Sequence, residues 1–248
     1  MKKIIMYFKQ LLNRKIKKDE FYRDLSKFVD LSKQNQRGLD IDMGNLYPCL
    51  YDRKNTTEFD RHYIYHTAWA ARIINELKPD IHYDISSSLY FCSIVSAFNK
   101  VKFYDFRPAN LQLTNLTAES SNLLSLPFEA NSISSLSCMH VVEHIGLGRY
   151  GDALDPDGDL KAISELKRVL GNEGSLLFVV PIGKPRIIFN AHRIYSYNQI
   201  LDYFSDLYLN QFALIPDESK NGGLVENASK DVVDMQSYGC GCFWFIKK

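Results

Sequence analysis

At 248 residues, with 46% hydrophobic content, the chain has room for one α/β domain with an extension, or two small domains, and an ample core. A net charge of +1 carries no polyanion-binding signature, so nucleic acid is not an expected partner. Five cysteines with no CxxC spacing argue against a disulfide framework or a zinc ribbon and fit a reducing cytoplasm.

The first 18 residues place Ile4, Ile5, Tyr7, Phe8, Leu11, Leu12 and Ile16 on one helical face among Lys2, Lys3, Lys9, Arg14, Lys15, Lys17 and Lys18. The stretch lacks the unbroken apolar run and small-residue cleavage site of a secretion signal. A basic amphipathic helix packs on a domain or a partner, or lies on an anionic membrane surface. Peripheral contact through residues 1–18 would hold a cytoplasmic protein at the inner face of the membrane. A second helix is predicted over 19–33, with Phe21, Leu25, Phe28 and Leu31 on one side, and a polar loop over 34–42. Residues 1–45 thus read as a helical extension and 46–248 as the main domain. No stretch approaches the roughly 20 apolar residues of a membrane span.

Thr57 is a plausible cap for a helix over 58–77 that carries His62, His66 and Trp69. Two histidines four residues apart can share a metal, but more often pack or bond backbone, and no metal site is expected. An aromatic wall over a cleft, from Tyr63 and Trp69 with His66 beside them, is the sharper role. Next come a strand over 81–85, the turn Ser86-Ser87-Ser88, a helix over 89–98, and strands over 101–104 and 113–117. A strand over 132–139 leads to His140-Val141-Val142-Glu143-His144 and a Gly- and Asp-rich loop over 145–159. A helix over 160–170, a Gly171-Asn172-Glu173-Gly174 turn and a strand over 175–180 follow. The chain then reads as a helix over 197–204, a strand over 207–214, a long polar loop over 216–238 and a strand over 239–246. Strands and helices alternate, which predicts an α/β fold with a doubly wound, mainly parallel sheet of seven strands, its last two forming an antiparallel edge hairpin.

In such sheets ligands bind beyond the carboxyl ends of the strands. Asp84 and Ser86–Ser88 occupy the turn where a nucleotide-type cofactor site places glycines. Serine is small and donates hydrogen bonds, but resists positive φ. Asp105 lies 21 residues after Asp84, at the next strand end, where an acidic side chain accepts both hydroxyls of a ribose. A strand-end cap or a pairing with Arg107 is the plainer role. His140, Glu143 and His144 end the fourth strand. Arg149, Asp152, Asp155, Asp157 and Asp159 crowd the following loop, suited to sugar hydroxyls or simply to solvent. Arg193, with Lys184 and Arg186, is suited to phosphates or to a basic surface. The spelling H-x-x-E-H also occurs in zinc peptidases, which need both histidines on one face of a sustained helix; here a β-type run precedes and Gly146 and Gly148 follow.

Leu126-Pro127-Phe128, the strand, Val142-Glu143-His144 and the run from Arg168-Val169-Leu170 through Gly174 resemble the class I S-adenosylmethionine-dependent methyltransferase superfamily. Tyr47-Pro48-Cys49-Leu50, His62-Tyr63, Asp84 to Ser88, Arg107-Pro108, the segment from His140 to Asp157, and Phe189-Asn190-Ala191-His192-Arg193 are closer still to a methyltransferase-like family known as domain of unknown function 268. The resemblance implies a Rossmann-like methyltransferase fold and S-adenosylmethionine as cofactor. It implies that Asp84 and Ser86–Ser88 hold the methionine end, Asp105 the ribose, Asn122 the adenine amine, and that His140 lies beside the sulfonium. His140, His144, Glu143 and His192 become the catalytic candidates. Arg149, Asp152, Asp157, Arg193, His66 and Trp69 become those for the acceptor. The implied acceptor is a sugar or other small polar molecule in surface-glycan assembly. The alternatives are a relative that binds a sugar nucleotide or a partner without the cofactor and, remotely, a metallopeptidase.

Overall fold

The computed structural model describes residues 2–33 and 39–248, which form two compact units, Met1–Phe59 and Asp60–Lys248. The expected roles of the Lys2, Lys3 and Ile4 side chains, and of residues 34–38, lie outside the described residues.

In the first unit, α1 (Lys2–Ser32) is one continuous helix where the sequence predicts two. Nothing between residues 2 and 32 interrupts it, since the stretch holds neither glycine nor proline. Tyr7, Phe8, Leu12 and Ile16 on this helix are exposed. Arg53 pairs with Asp24, fastening the chain after α1 back onto it. Among the described residues, no helix is long and apolar enough to cross a membrane.

The second unit opens with α2 (Arg61–Leu77). Its cap is Asp60 rather than Thr57: the short carboxylate of Asp60 accepts from Tyr63 N at 3.2 Å. His66, Trp69, Ala70, Ile73 and Ile74 form its buried face at helical spacing. The helix stops at Lys78, which turns left-handed just before Pro79.

The strands of the sheet are β1 (His82–Ile85), β2 (Val101–Asp105), β3 (Leu116–Ser120), β4 (Ile133–Met139) and β5 (Leu170–Ile182). A small hairpin, β6 (Arg186–Ile188) and β7 (His192–Ile194), stands apart. Then come β8 (Tyr208–Ile215), the two-residue β9 (Val225–Glu226) and β10 (Gly239–Ile246). The sheet order is β3-β2-β1-β4-β5-β10-β8-β9. The seven longer strands correspond to the seven expected, with the third shifted from 113–117 to Leu116–Ser120. The last two of them form the expected antiparallel pair on one side of the sheet, with β10 inserted between β5 and β8 and the short β9 beyond. Residues 240–246 are thereby flanked on both sides, and Phe243 lies between Phe178 and Phe212. The residues 171–174 bulge out of the ladder, which jumps from Ile133↔Leu170 to Ser135↔Ser175.

Both faces of the sheet are covered, as a mainly parallel sheet requires. Helices α2 and α3 (Leu89–Val95) pack with Phe103, Leu177, Val179 and Cys242 on one side. The other side packs α4 (Gly158–Val169) and α5 (Tyr197–Tyr203) against Leu136, Leu176, Phe178 and Phe243. Alternate residues of β5 thus feed opposite cores. The long segment expected as a loop carries a further short helix, α6 (Lys230–Asp234), whose Val233 is buried.

Candidate functional site

The carboxyl ends of β1 and β4 face the same space. After β1, Ser86 takes φ +56°, the left-handed conformation that cofactor-binding turns assign to glycine. Its hydroxyl donates to Tyr104 O at 3.2 Å. Asp84 is fully buried; one carboxylate oxygen accepts from Ser87 N at 3.0 Å and the other from the Ser137 hydroxyl. Burial raises the Asp84 carboxyl to about 6. Ser87 Oγ in turn accepts from Met139 N at 3.0 Å, tying the turn to β4. Asp84 is therefore no ligand contact, contrary to the sequence expectation. Both its oxygens are consumed in shaping the turn, while Ser86, Ser87 and Ser88 face the cleft.

After β4, His140 also turns left-handed, at φ +58°, with its N–H still donating to Val179 O. A non-glycine residue in this region costs about 1–2 kcal/mol and marks a place where the surroundings dictate the backbone. His140 Nδ1 donates to Glu143 Oε1 at 2.8 Å, and its Nε2 accepts from Cys240 Sγ at 3.4 Å. Both ring nitrogens are thus engaged. The expectation that His140 serves as a free base is corrected on that ground.

The cleft has a volume of about 400 Å³ and is lined by Tyr63, the three serines, Met139, His140, Glu143, His144, Arg149, Tyr150, His192 and Tyr238. Around it cluster five of the six histidines of the chain. His62 and Tyr63 both stack on His140, at 5.3 and 5.4 Å between ring centroids. His66 meets it edge-on at 5.1 Å. His192 packs on Tyr238 at 5.0 Å. Burial lowers His62 and His140 to about 4 and also lowers His144 and His192. Burial raises the Glu143 carboxyl to about 7. The histidines are therefore neutral at pH 7, and Glu143 exchanges its proton near neutrality. His192 Nε2 and Glu143 Oε2 are buried atoms without a hydrogen-bond partner.

Several expected contacts lie elsewhere. Trp69 is only 3% exposed, packed in the core under α2, so Tyr63 alone supplies the aromatic wall from that helix. His66 is fully buried, its Nδ1 donating to His62 O. Arg193 is 4% exposed and holds Ile145 O, Pro156 O and the Asp159 carboxylate, which removes it from any phosphate. Asp152 accepts from the N–H groups of Gly146, Gly148 and Tyr150 and so shapes its own loop. Asp157 is exposed at the start of α4, outside the cleft lining. Asp105 does end β2, on the edge shared with Ser86, and accepts from Arg107 N at 2.7 Å. Asn122 is exposed and accepts from Leu124 N at 2.9 Å. Arg149 lies at the cleft and over the Tyr150 ring at 5.1 Å, with Arg107 at 5.0 Å from that same ring.

The H-x-x-E-H spelling has no peptidase geometry. His140 closes a strand, Val142–His144 is a single 3-10 turn, and His144 Nδ1 donates to Ala191 O at 2.5 Å. Tyr150, Tyr238 and Cys240 escaped the sequence reading as site neighbours. Tyr238 ends a polar stretch without periodicity, and Cys240 reads as one more core position on an apolar strand.

Comparison with solved structures places this architecture. The 1,6-didemethyltoxoflavin-N1-methyltransferase of Burkholderia thailandensis, with bound 1,6-didemethyltoxoflavin and S-adenosylhomocysteine, superposes with a TM-score of 0.55. The two share 10% identity over 74% of this chain and 79% of that one. This is the class I methyltransferase fold. A geranyl diphosphate methyltransferase in complex with S-adenosylmethionine is similar at a TM-score of 0.52, with 12% identity over 73% of this chain and 85% of that one. Residues 124–212 of this methyltransferase-fold chain match the family described as Caenorhabditis protein of unknown function, DUF268. The uncharacterized protein MJ0638 of Methanocaldococcus jannaschii is 30% identical over 105 aligned positions, in a match that covers 39% of this chain and 41% of that protein. The match thus spans about two fifths of that relative.

Proposed function

We propose that this protein is an S-adenosylmethionine-dependent methyltransferase acting on a hydroxyl of a small polar acceptor, with a sugar of a surface glycan as the acceptor class. The observation that carries the reading is the Ser86–Ser88 turn: a left-handed serine, fixed from beneath by Asp84 and Ser137, supplies the backbone shape that glycine gives elsewhere. The cleft suits such a donor on two further grounds. Its volume of about 400 Å³ falls in the range of small-molecule sites, and two of its polar atoms, His192 Nε2 and Glu143 Oε2, have no partner in the protein. Ser86–Ser88 would hold the methionine end, and Asp105, one strand over, the ribose. The donor supplies the electrophilic methyl group when bound.

The protein's own groups then orient the acceptor and take its proton. His192, neutral at pH 7 with Nε2 free, is assigned as the base that accepts the hydroxyl proton. Glu143 fixes His140 and lies 3.8 Å from His144 Nε2, ordering the floor of the cleft. With Asp152 bonded into its own loop and Asp157 outside the cleft lining, acceptor contacts fall to Arg149 and to the ring faces of Tyr63, Tyr150 and Tyr238. Ring faces with a few convergent polar groups suit a sugar.

The test is methyl transfer from labelled donor to a panel of sugars and sugar nucleotides. His192→Ala is expected to lower kcat by about 10²-fold or more and to leave S-adenosylhomocysteine affinity within twofold. Loss of affinity with unchanged kcat would take His192 out of the base role. Donor-independent binding of a sugar nucleotide would instead favour a non-catalytic binding module. The exposed apolar and basic residues of α1 support peripheral membrane contact; flotation with anionic vesicles should be lost when residues 1–18 are removed, and equal flotation would refute that contact.

A further inference from the structure

Beneath the cleft, three side chains from three different elements bring ligand atoms together. His62 comes from α2, His140 from the end of β4 and Cys240 from β10. One ring nitrogen of each histidine and the cysteine sulfur all lie within 4.8 Å of one another. We propose that His62, His140 and Cys240 bind one Zn²⁺ ion that staples α2 to the sheet.

The geometry of the pair already in contact fits this ion. His140 Nε2 and Cys240 Sγ are 3.4 Å apart. Tetrahedral zinc, with Zn–S near 2.3 Å and Zn–N near 2.0–2.1 Å, sets its nitrogen and sulfur ligands about 3.5 Å apart. The tautomer is also the required one. The Nδ1 proton of His140 is held by Glu143 Oε1 at 2.8 Å, which leaves the Nε2 lone pair facing the sulfur. A carboxylate behind a ligating imidazole is the usual second layer of a zinc site, where it orients the ring and strengthens it as a ligand.

The surroundings match as well. Cys240 is fully buried, His140 is 8% exposed and Glu143 1% exposed. An interior patch this polar is costly unless its groups are satisfied, and Glu143 Oε2 and the Nε2 of neighbouring His66 have no partner in the protein. Full burial removes Cys240 from the role of a solvent-reactive thiol. On binding, the Cys240 thiol releases its proton to solvent. The thiolate and two imidazole lone pairs fill three positions, and water takes the fourth. No electron is transferred. The site shares His140 with the cleft but does not depend on the methyltransferase reading.

The experiment uses the full chain, refolded or expressed with Co²⁺ in place of Zn²⁺. Wild type should take up about one equivalent and show a thiolate-to-cobalt charge-transfer band with intense tetrahedral visible bands. Cys240→Ser should lose the charge-transfer band, whereas Cys49→Ser, an exposed cysteine outside the cluster, should keep it. His62→Gln should weaken cobalt binding at least tenfold. Zinc should displace cobalt and raise the melting temperature over the metal-free protein. Wild-type protein that takes up no cobalt, or a band surviving in Cys240→Ser, would overturn the site. The wild-type spectrum decides the matter even where a variant fails to fold.

Discussion

Ser86 and His140 leave two adjacent parallel strands, β1 and β4, with nearly the same left-handed backbone, φ +56° and +58°. Two non-glycine residues held in this region on one sheet edge concentrate backbone strain where the cleft opens. The strain at Ser86 is offset locally, because Asp84 and Ser137 lock the turn from below and Ser87 Oγ locks it to β4.

Replacing Ser86 therefore separates shape from chemistry. Ser86→Gly should keep stability within about 1 kcal/mol of wild type and retain donor affinity, since glycine adopts this φ without strain. Ser86→Val should lose more than about 1 kcal/mol and bind the donor at least tenfold more weakly, because a β-branched residue resists positive φ. Urea titration and calorimetry check both. Equal behaviour of the two variants would show that the turn shape is irrelevant.

A buried polar line runs beneath the same turn. His82 contacts the hydroxyls of Ser135 and Ser137 at 2.8 Å each, and Ser137 donates to Asp84. Burial lowers His82 from 6.5 to about 3 and raises Asp84 from 3.8 to about 6. Below pH 6.5 the unfolded chain protonates His82 and the folded chain does not, so this contribution is complete above 6.5. It falls by about 1.4 kcal/mol per unit as the pH drops towards 3. Asp84 has the opposite sign: between about 6 and 3.8 its folded form holds a proton that the unfolded form sheds, so acid favours folding there. His82→Gln removes the first effect and keeps the second. The stability gap between wild type and this variant should shrink as pH falls from 6.5 to 4. A pH-independent gap would contradict the assignment.

The loop over 145–159 rests on one close approach. A Cβ at Gly146, which sits at φ +80°, would lie 2.1 Å from Asp155 O, and that carbonyl belongs to backbone that cannot swing aside. Gly146→Ala should cost more than about 2 kcal/mol, combining the φ penalty with the clash. It should also displace Arg149 and Tyr150 from the cleft. A thermal melt within two degrees of wild type would refute this.

Much of the fold was legible because strands and helices announce themselves by period. The chain from β1 to β5 was read in order, and α2 shows its buried face at helical spacing. Placement across the sheet was not legible: β8 and β10 are the last two long strands and pair in space, but no pattern says that β10 slips between β8 and β5. The cleft histidines His140 and His144 were visible as strand-end residues, and His192 through the family resemblance of its segment. Their partners were not, because Cys240 on an apolar strand and Tyr238 in an aperiodic stretch reach the cleft only through that insertion. Trp69 and Arg193 misled for a related reason. Their chemistry suits a site, but burial decides which side of the chain they face, and a lone aromatic or arginine does not encode it.

The Ser86–Ser88 turn and Asp105 are together the proposed methyl-donor site. Titration calorimetry of the full chain with S-adenosylhomocysteine tests it most directly. One saturable site per chain is expected, weakened at least tenfold by Asp105→Ala with the fold retained. No heat at millimolar ligand, or binding that Asp105→Ala leaves unchanged, would contradict it.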